Sequence, residues 1–430
     1  MKLVFYSLIL NNHQANVADE LWELTGHQYC FVELANLQAE HKKGDTRNYD
    51  ECPYLLRAWE SDANWQKAME LARTAECCVF SGVQALPFQK ERMKLGLLSF
   101  DMSERWLKQG LKNVLSPAIS KMFLVYWMGG CKSKPLYKLC CSAFAAGDHY
   151  KLGMYKDKCY KWGYFTKVDG SCFGKRLFEP SEGFMVYGDS KANVLQSPRD
   201  FGFSDAERKT KVEASTDVST SEITPLMWCG RFLMWKHPEL PILMAERLKR
   251  KGYKFLLDMY GEGEYREAAE HLAENLGLRD CVSFIGNKPN TELMKDMQQH
   301  EIFLFTSDKN EGWGAVANES MSNGCVLVGS DALGCAPYLI KDGENGFMFK
   351  SSKVSCTFKN PDKMSLDSLC EKVEWLLEHP EERKQMRMNA REVMTNVWSP
   401  RKAAEALLKL IDDLKNGKET SIKEGPCSKA

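Results

Sequence analysis

Two glutamates, Glu311 and Glu319, stand with seven residues between them around the segment Gly312-Trp313-Gly314. The apolar run Ile302–Phe305 before them reads as a strand. The stretch Ala317-Asn318-Glu319-Ser320-Met321 after them reads as a helix closed by Asn323-Gly324. Glycines ahead of a helix let backbone N–H groups approach an anion, and the helix N-terminus favours negative charge. One carboxylate precedes the helix and the other lies about two turns inside it, so the pair can grip two parts of one extended ligand. Carboxylates so placed accept hydrogen bonds from vicinal hydroxyls, which a sugar and a ribose both offer. Two acids by themselves are equally a helix N-terminal charge and an ordinary surface glutamate, and on the pair alone that plainer reading is the better one.

The elements that must position these residues are legible in the second half. Strands are expected at Leu226–Phe232, Lys254–Tyr260, Cys281–Ile285, Ile302–Phe305 and Cys325–Gly329, alternating with helices over Pro241–Lys251, Tyr265–Leu276, Thr291–Gln298 and Leu369–Glu378. A last helix begins at Ser399 as N-cap with Pro400 behind it, and carries Ala404, Leu407, Leu408, Ile411 and Leu414 on one stripe. In the first half, Leu3–Leu8, Tyr29–Leu34, Cys77–Ser81, Leu97–Phe100 and Cys159–Tyr164 read as strands, with helices over Ala15–Leu24 and Trp65–Arg73. Strand–helix alternation predicts parallel sheets covered on both faces, hence an α/β chain of two doubly wound, Rossmann-like domains facing a cleft. The expected division is a first domain over 1–168, a linker or insertion over 169–221 where periodicity fails, a second domain over 222–398, the last helix over 399–415, and a polar, disordered tail over 416–430.

Composition agrees with this organisation. The 430 residues carry 58 basic and 58 acidic side chains, which excludes a globally basic nucleic-acid binder. The 16 cysteines include no C-x-x-C pair and sit mostly in apolar runs, so reduced, buried thiols of a cytoplasmic protein are expected. No run is long enough to span a bilayer. Lys2–Leu10 lacks a small-residue cleavage site and reads as a first strand rather than a signal peptide. A dinucleotide-dependent oxidoreductase would need G-x-G-x-x-G after its first strand, where the chain has Leu8-Ile9-Leu10-Asn11-Asn12-His13-Gln14.

The stretch Trp228–Gly346 resembles the family 4 retaining glycosyltransferases of the GT-B fold. The resemblance rests on Glu311-Gly312-Trp313-Gly314 with Glu319 and Asn323-Gly324-Cys325, then Ser330-Asp331, Gly334, Pro337 and Asp342-Gly343-Glu344-Asn345-Gly346. Upstream, Gly230-Arg231-Phe232-Leu233-Met234-Trp235-Lys236 resembles the family's G-R-x4-K turn, and Tyr260-Gly261-Glu262-Gly263 and Val282-Ser283-Phe284-Ile285-Gly286 fit its next two strands. The Glu311 segment looks most like that of bacterial surface-polysaccharide enzymes.

That resemblance implies a retaining hexosyltransferase whose donor is a nucleotide diphosphate sugar, UDP-linked by preference and GDP-linked as the other candidate. Arg231 and Lys236 would neutralise the diphosphate as charge develops on the leaving group. Glu311 would contact the transferred sugar, aided by the N–H groups of Gly312, Trp313 and Gly314. Glu319 would hold the ribose, and the backbone of Phe284, Ile285 and Gly261 would line the donor site. No cofactor or metal is then expected, in keeping with the lack of an Asp-x-Asp signature beside an apolar strand. Retention is thought to use the departing phosphate oxygen as base, so the two glutamates are not a hydrolase acid–base pair. The last helix would cross back to the first domain. Hydrolysis or epimerisation of a nucleotide sugar, and a non-catalytic nucleotide-sugar-binding subunit, are the alternatives.

The first domain resembles the family less. His13, Asp101 and Glu104 are its acceptor-side candidates, for a glycan or lipid-linked acceptor. From Trp106 to Gly147 there is no acidic residue, while Lys108, Lys112, Lys121, Lys132, Lys134 and Lys138 are interleaved with Trp106, Leu107, Phe123, Leu124, Tyr126, Trp127, Met128 and Leu136. Such a mixture suits an anionic membrane surface, each lysine contributing about 1 kcal/mol there. A pair of core helices with a solvated basic face is the alternative. No nucleic-acid recognition motif accompanies the patch.

Overall fold

The computed structural model describes residues 1–36, 47–168, 223–351 and 362–430. The insertion expected over 169–221 therefore lies outside the described residues. Two all-parallel sheets form the frame. The first comprises β1 (Leu3–Ser7), β2 (Tyr29–Glu33), β3 (Leu55–Arg57), β4 (Cys77–Ser81), β5 (Ser99–Ser103), β6 (Leu136–Cys140) and β7 (Cys159–Lys161), in the order β3-β2-β1-β4-β5-β6-β7. The second comprises β8 (Thr224–Cys229), β9 (Phe255–Tyr260), β10 (Val282–Gly286), β11 (Ile302–Phe305), β12 (Val326–Ser330) and β13 (Gly346–Phe349), in the order β10-β9-β8-β11-β12-β13. Strands covered on both faces read as continuous apolar runs, and all residues of β1, β11 and β12 are buried. In each sheet the strand order reverses beside its first strand, at β1/β4 and at β8/β11. Ligands of open α/β sheets bind in the crevice at the carboxyl ends of such strands.

Some helices start at a side-chain cap. Asn11 Oδ1 accepts the Gln14 N–H at the head of α1 (Asn12–Leu24), and Ser61 caps α2 (Asp62–Thr74) in the same way. Among the described residues the first domain also has α3 (Leu86–Lys94), α4 (Pro117–Met128) and α5 (Ala145–Lys151). The second domain adds α6 (Glu239–Arg250), α7 (Arg266–Asn275), α8 (Asn290–Met297), α9 (Ala315–Ser322), α10 (Ala336–Leu339), α11 (Lys363–Glu378) and α12 (Pro380–Asn396). The last helix, α13 (Pro400–Lys415), is capped by Ser399, whose Oγ accepts the Lys402 N–H at 3.3 Å. Its buried side, Ala403, Ala404, Leu407, Leu410 and Ile411, joins the core that also holds Ala15, Ala18 and Leu21 of α1. Arg401–Glu20 and Lys415–Glu76 tie it further to the first domain.

The tail after Asn416 differs from the disordered segment expected. Its polar side chains conceal a pairing made by backbone. Lys161 N–H donates to the Ser428 carbonyl (2.8 Å), Cys427 N–H to that of Lys161 (2.7 Å) and Ala430 N–H to that of Cys159 (3.1 Å). The chain end thus covers the open edge of β7, and Cys427 is fully buried. An edge strand left bare would be a template for association.

The basic stretch is also smaller than its sequence suggests. Lys138 lies on β6 and is fully buried, its Nζ 2.9 Å from Asp101 Oδ2. Trp106, Leu107, Tyr126 and Leu136 are core. What remains at the surface is α4 with the short turns on either side. Leu115 and Met128 are each 83% exposed, accompanied by Leu111, Leu124 and Trp127 and by Lys112, Lys121 and Lys132.

Candidate active site

The turn that leaves β8 carries Arg231 and Lys236. Its neighbour Gly261 has φ 120°, and any side chain there would run into the Gly230 carbonyl, so the two turns touch along their backbones. Arg231 is exposed, with no ion pair among the described residues. Lys236 is held instead. Its ammonium pairs with the Glu311 carboxylate and lies over the rings of Trp235 (4.6 Å) and Phe305 (5.5 Å). Thr306 Oγ1 ties down the same turn, donating to the Lys236 carbonyl (2.7 Å) while Trp228 Nε1 donates to it (2.9 Å).

Glu311 stands on the turn after β11. Its N–H donates to the Asp308 carbonyl (3.0 Å), and the Asp308 carboxylate accepts the Asn310 N–H (2.8 Å). Gly314 then heads α9 in the left-handed region at φ 88°, where a Cβ would enter the Phe305 ring, so only glycine closes this turn. Glu319 is buried on α9 and accepts from Asn290 Nδ2 (3.3 Å). Phe284 and Ile285 are half-buried at the end of β10, where the Phe284 carbonyl meets Arg266. Arg231, Lys236, Glu311, Glu319 and the Gly261 and Phe284–Gly286 backbone thus collect at the carboxyl ends of β8–β11, around the strand-order reversal.

The Trp313 side chain turns away from the crevice. It is fully buried between the domains, its Nε1 donating to Asn318 Oδ1 (2.7 Å), and packs against Tyr164, Tyr338 and Trp398. Asn318 Nδ2 in turn donates to the Tyr164 carbonyl (2.9 Å). A ring of this size gains most from a dry interface that also satisfies its N–H.

On the facing domain the three acceptor-side candidates separate. Asp101 is not in the cleft: its Oδ2 accepts from Lys138 Nζ and from Tyr155 OH (2.8 Å), which consumes it inside the domain. A buried carboxylate needs such partners, and a lysine on the adjacent strand supplies one. Glu104 does reach the cleft, and a Cβ on Gly312 would collide with its carboxylate. Tyr164 OH donates to Glu104 Oε1 (3.0 Å), and Lys108 Nζ bonds both Glu104 Oε2 (3.0 Å) and, across the cleft, the Asn310 carbonyl (3.2 Å). Burial, then the Glu104 charge, raise the Tyr164 phenol well above its usual range, so it stays a donor. His13 stacks on Tyr164 at 5.6 Å, its Nδ1 without a partner among the described residues. Lys108 and Tyr164 were not singled out as site residues from sequence. Nothing local marks them, because their role depends on the second domain arriving opposite.

Residues 224–393 match the family model Glycosyl transferases group 1. The match takes in both turns and both glutamates. Over 125 residues the chain is 28% identical to the UDP-N-acetylglucosamine--peptide N-acetylglucosaminyltransferase GtfA subunit of Streptococcus pneumoniae serotype 4 (strain ATCC BAA-334 / TIGR4). That alignment covers 29% of this chain, which spans about a fifth (22%) of the length of the curated relative. Among solved structures, Anabaena Alr3699/HepE in complex with UDP superposes with a TM-score of 0.61 at 12% identity, covering 96% of this chain and 100% of that one. The lipopolysaccharide outer core galactosyltransferase WaaB, in its apo form, gives the same four values. A glycosyltransferase from Rickettsia africae gives 0.58 at 12% identity, over 96% and 98%. The group 1 match and these likenesses agree on the architecture, which is GT-B.

Proposed function

We propose that the chain is a family 4 retaining glycosyltransferase that moves a hexose from a UDP-sugar to a hydroxyl of a glycan or lipid-linked acceptor. The observation that carries this reading is the meeting of Lys236 with Glu311 at the β8/β11 crevice, with exposed Arg231 on the same turn and Glu319 one helix away. Arg231 and Lys236 draw the diphosphate in and stabilise the charge that builds on it as the glycosidic bond breaks. Glu311 orients the sugar hydroxyls and Glu319 the ribose. The departing phosphate oxygen takes the acceptor proton on the same face, so no protein base and no metal ion is required. UDP is preferred over GDP because the solved HepE complexes hold UDP and UDP-glucose.

The acceptor enters from the side of His13, Glu104 and Tyr164, and a surface-polysaccharide or lipopolysaccharide intermediate at the cytoplasmic membrane face is the substrate class proposed. The exposed apolar residues and lysines around α4 support contact with an anionic bilayer. Vesicle flotation tests this: substitution of Lys112, Lys121 and Lys132 by glutamate should abolish binding to anionic vesicles, and unchanged flotation rejects the surface. For the donor, a thermal-shift panel of nucleoside diphosphates decides. UDP at a hundredfold excess over Kd should stabilise by about 2.7 kcal/mol, and stabilisation by none of the panel sinks the reading. Transfer should persist in a chelator, and its loss there would remove the metal-independent step.

A further inference from the structure

The residue after Lys236 is a histidine in an uncommon state. His237 has φ 49° and ψ 55°, a left-handed backbone that a residue with a side chain adopts at a cost, and its ring is nine-tenths buried. Nδ1 lies 2.8 Å from Glu239 Oε1 at the head of α6, and Nε2 lies 3.7 Å from Asp308 Oδ2 on the turn after β11. Glu239 is itself buried. The His237 carbonyl accepts from Thr306 Oγ1 (3.1 Å), and Asp308 N–H donates to the Trp235 carbonyl (2.9 Å). The Lys236 turn is therefore fastened to the Asp308–Glu311 turn on both sides of the ring. Of the other charged groups on these two turns, Lys236 and Glu311 pair with each other, while Arg231 and Lys309 are exposed.

We infer that His237 is a positioning residue: as an imidazolium between Glu239 and Asp308, it holds the diphosphate-binding turn at a fixed spacing from the sugar-binding turn. The inference rests on the proposed donor site. Burial by itself would lower the imidazole pKa. The Asp308 and Glu239 carboxylates on either side outweigh it and raise the pKa to about 9. Asp308 is lowered in return by His237 and by its Asn310 bonds, against its own burial. The sign follows from a raised folded-state pKa: the link is complete below the ordinary histidine range and is lost as pH rises through about 9. Neutral pH keeps it intact.

The test uses His237→Asn, which tolerates the left-handed backbone, and His237→Gly, which relaxes it. Both remove the charge. UDP binding is measured by calorimetry from pH 7 to 10, beside the titration of the His237 ring by NMR. In the wild type, UDP affinity should fall with a midpoint near the ring's own, about 9. The variants should bind UDP roughly tenfold more weakly at pH 7, with donor KM rising more than kcat falls and no alkaline limb near pH 9. Wild-type affinity with a wild-type alkaline limb in both variants would overturn the inference, as would a ring midpoint in the ordinary histidine range. Should the wild type bind no nucleotide, the donor reading falls separately. The link is then judged on the ring midpoint and on whether His237→Asn shifts the Asp308–Glu311 amide resonances; unmoved resonances overturn it.

Discussion

Lys236, a cation expected to hold the diphosphate, pairs with Glu311, an anion expected to hold the sugar. Donor binding must exchange one anion for another, so Glu311→Gln separates the two roles. The amide keeps the shape and the polar contacts of the turn but releases the ammonium. Side-chain exposure of Lys236 and Glu311 is 13% and 12%, between the limits of a surface ion pair and a buried one. Surface pairs contribute about 0–1 kcal/mol and breaking buried ones costs about 3–5 kcal/mol, so a competing interaction of about 1–2 kcal/mol is a fair intermediate. The rings of Trp235 and Phe305 keep the freed ammonium near its place. UDP, which lacks the sugar, should therefore bind Glu311→Gln some five- to thirtyfold more tightly than wild type, following about 1.4 kcal/mol per factor of ten. Sugar transfer by the same variant should fall by about a hundredfold or more, because the lost contact acts on the sugar. Calorimetry with UDP and a transfer assay read the two arms. Unchanged or weaker UDP binding in Glu311→Gln would refute the exchange, whatever happened to transfer.

Three further outcomes follow from packing. Gly163→Ala would drive a methyl group into the buried Trp313 indole, and overpacking of this kind should lower stability by about 1–3 kcal/mol in denaturant titrations. Gly312→Ala should disturb the closed cleft by displacing the Glu104 carboxylate and reduce transfer, and adding Glu104→Ala should restore closure as measured by solution scattering; a double variant that scatters like the single one would show the collision to be irrelevant. Removal of residues 418–430 bares the β7 edge, so the truncated chain should melt lower and associate in sedimentation experiments, whereas a monomer of unchanged melting temperature would deny the tail any covering role.

The second domain was more legible in the sequence than the first, for a physical reason. Its strands are mostly apolar runs because both faces are covered, and β11, apolar throughout, ends at Phe305 where the sequence places it. In the first domain β6 reads Leu-Tyr-Lys-Leu-Cys, and its lysine makes it look like solvent-facing chain. Only the arrival of Asp101 from the adjacent strand allows Lys138 inside, and that pairing is not written in either segment. The same contact removes Asp101 from the cleft. Trp313 stands in the glycine turn, and that its indole finds Asn318 and the interdomain core is likewise not written in the turn itself. His237 left one faint signal, a bulky residue directly after a turn lysine. Its two carboxylate partners come from different elements, so its charge was invisible before folding.

The path of the chain also dictates an order of assembly. Residues 1–168 contain β1–β7, yet α13 and the residues that seal β7 are translated only after the second domain. At about 5–20 residues per second, the first domain must wait roughly 10–50 s on the ribosome for its closing helix and edge. During that interval the whole second domain can complete its own fold. A nascent chain stopped between α12 and α13 would therefore hold a finished second domain attached to an unfinished first one, with Ala15, Ala18 and Leu21 of α1 uncovered and a bare strand available to chaperones.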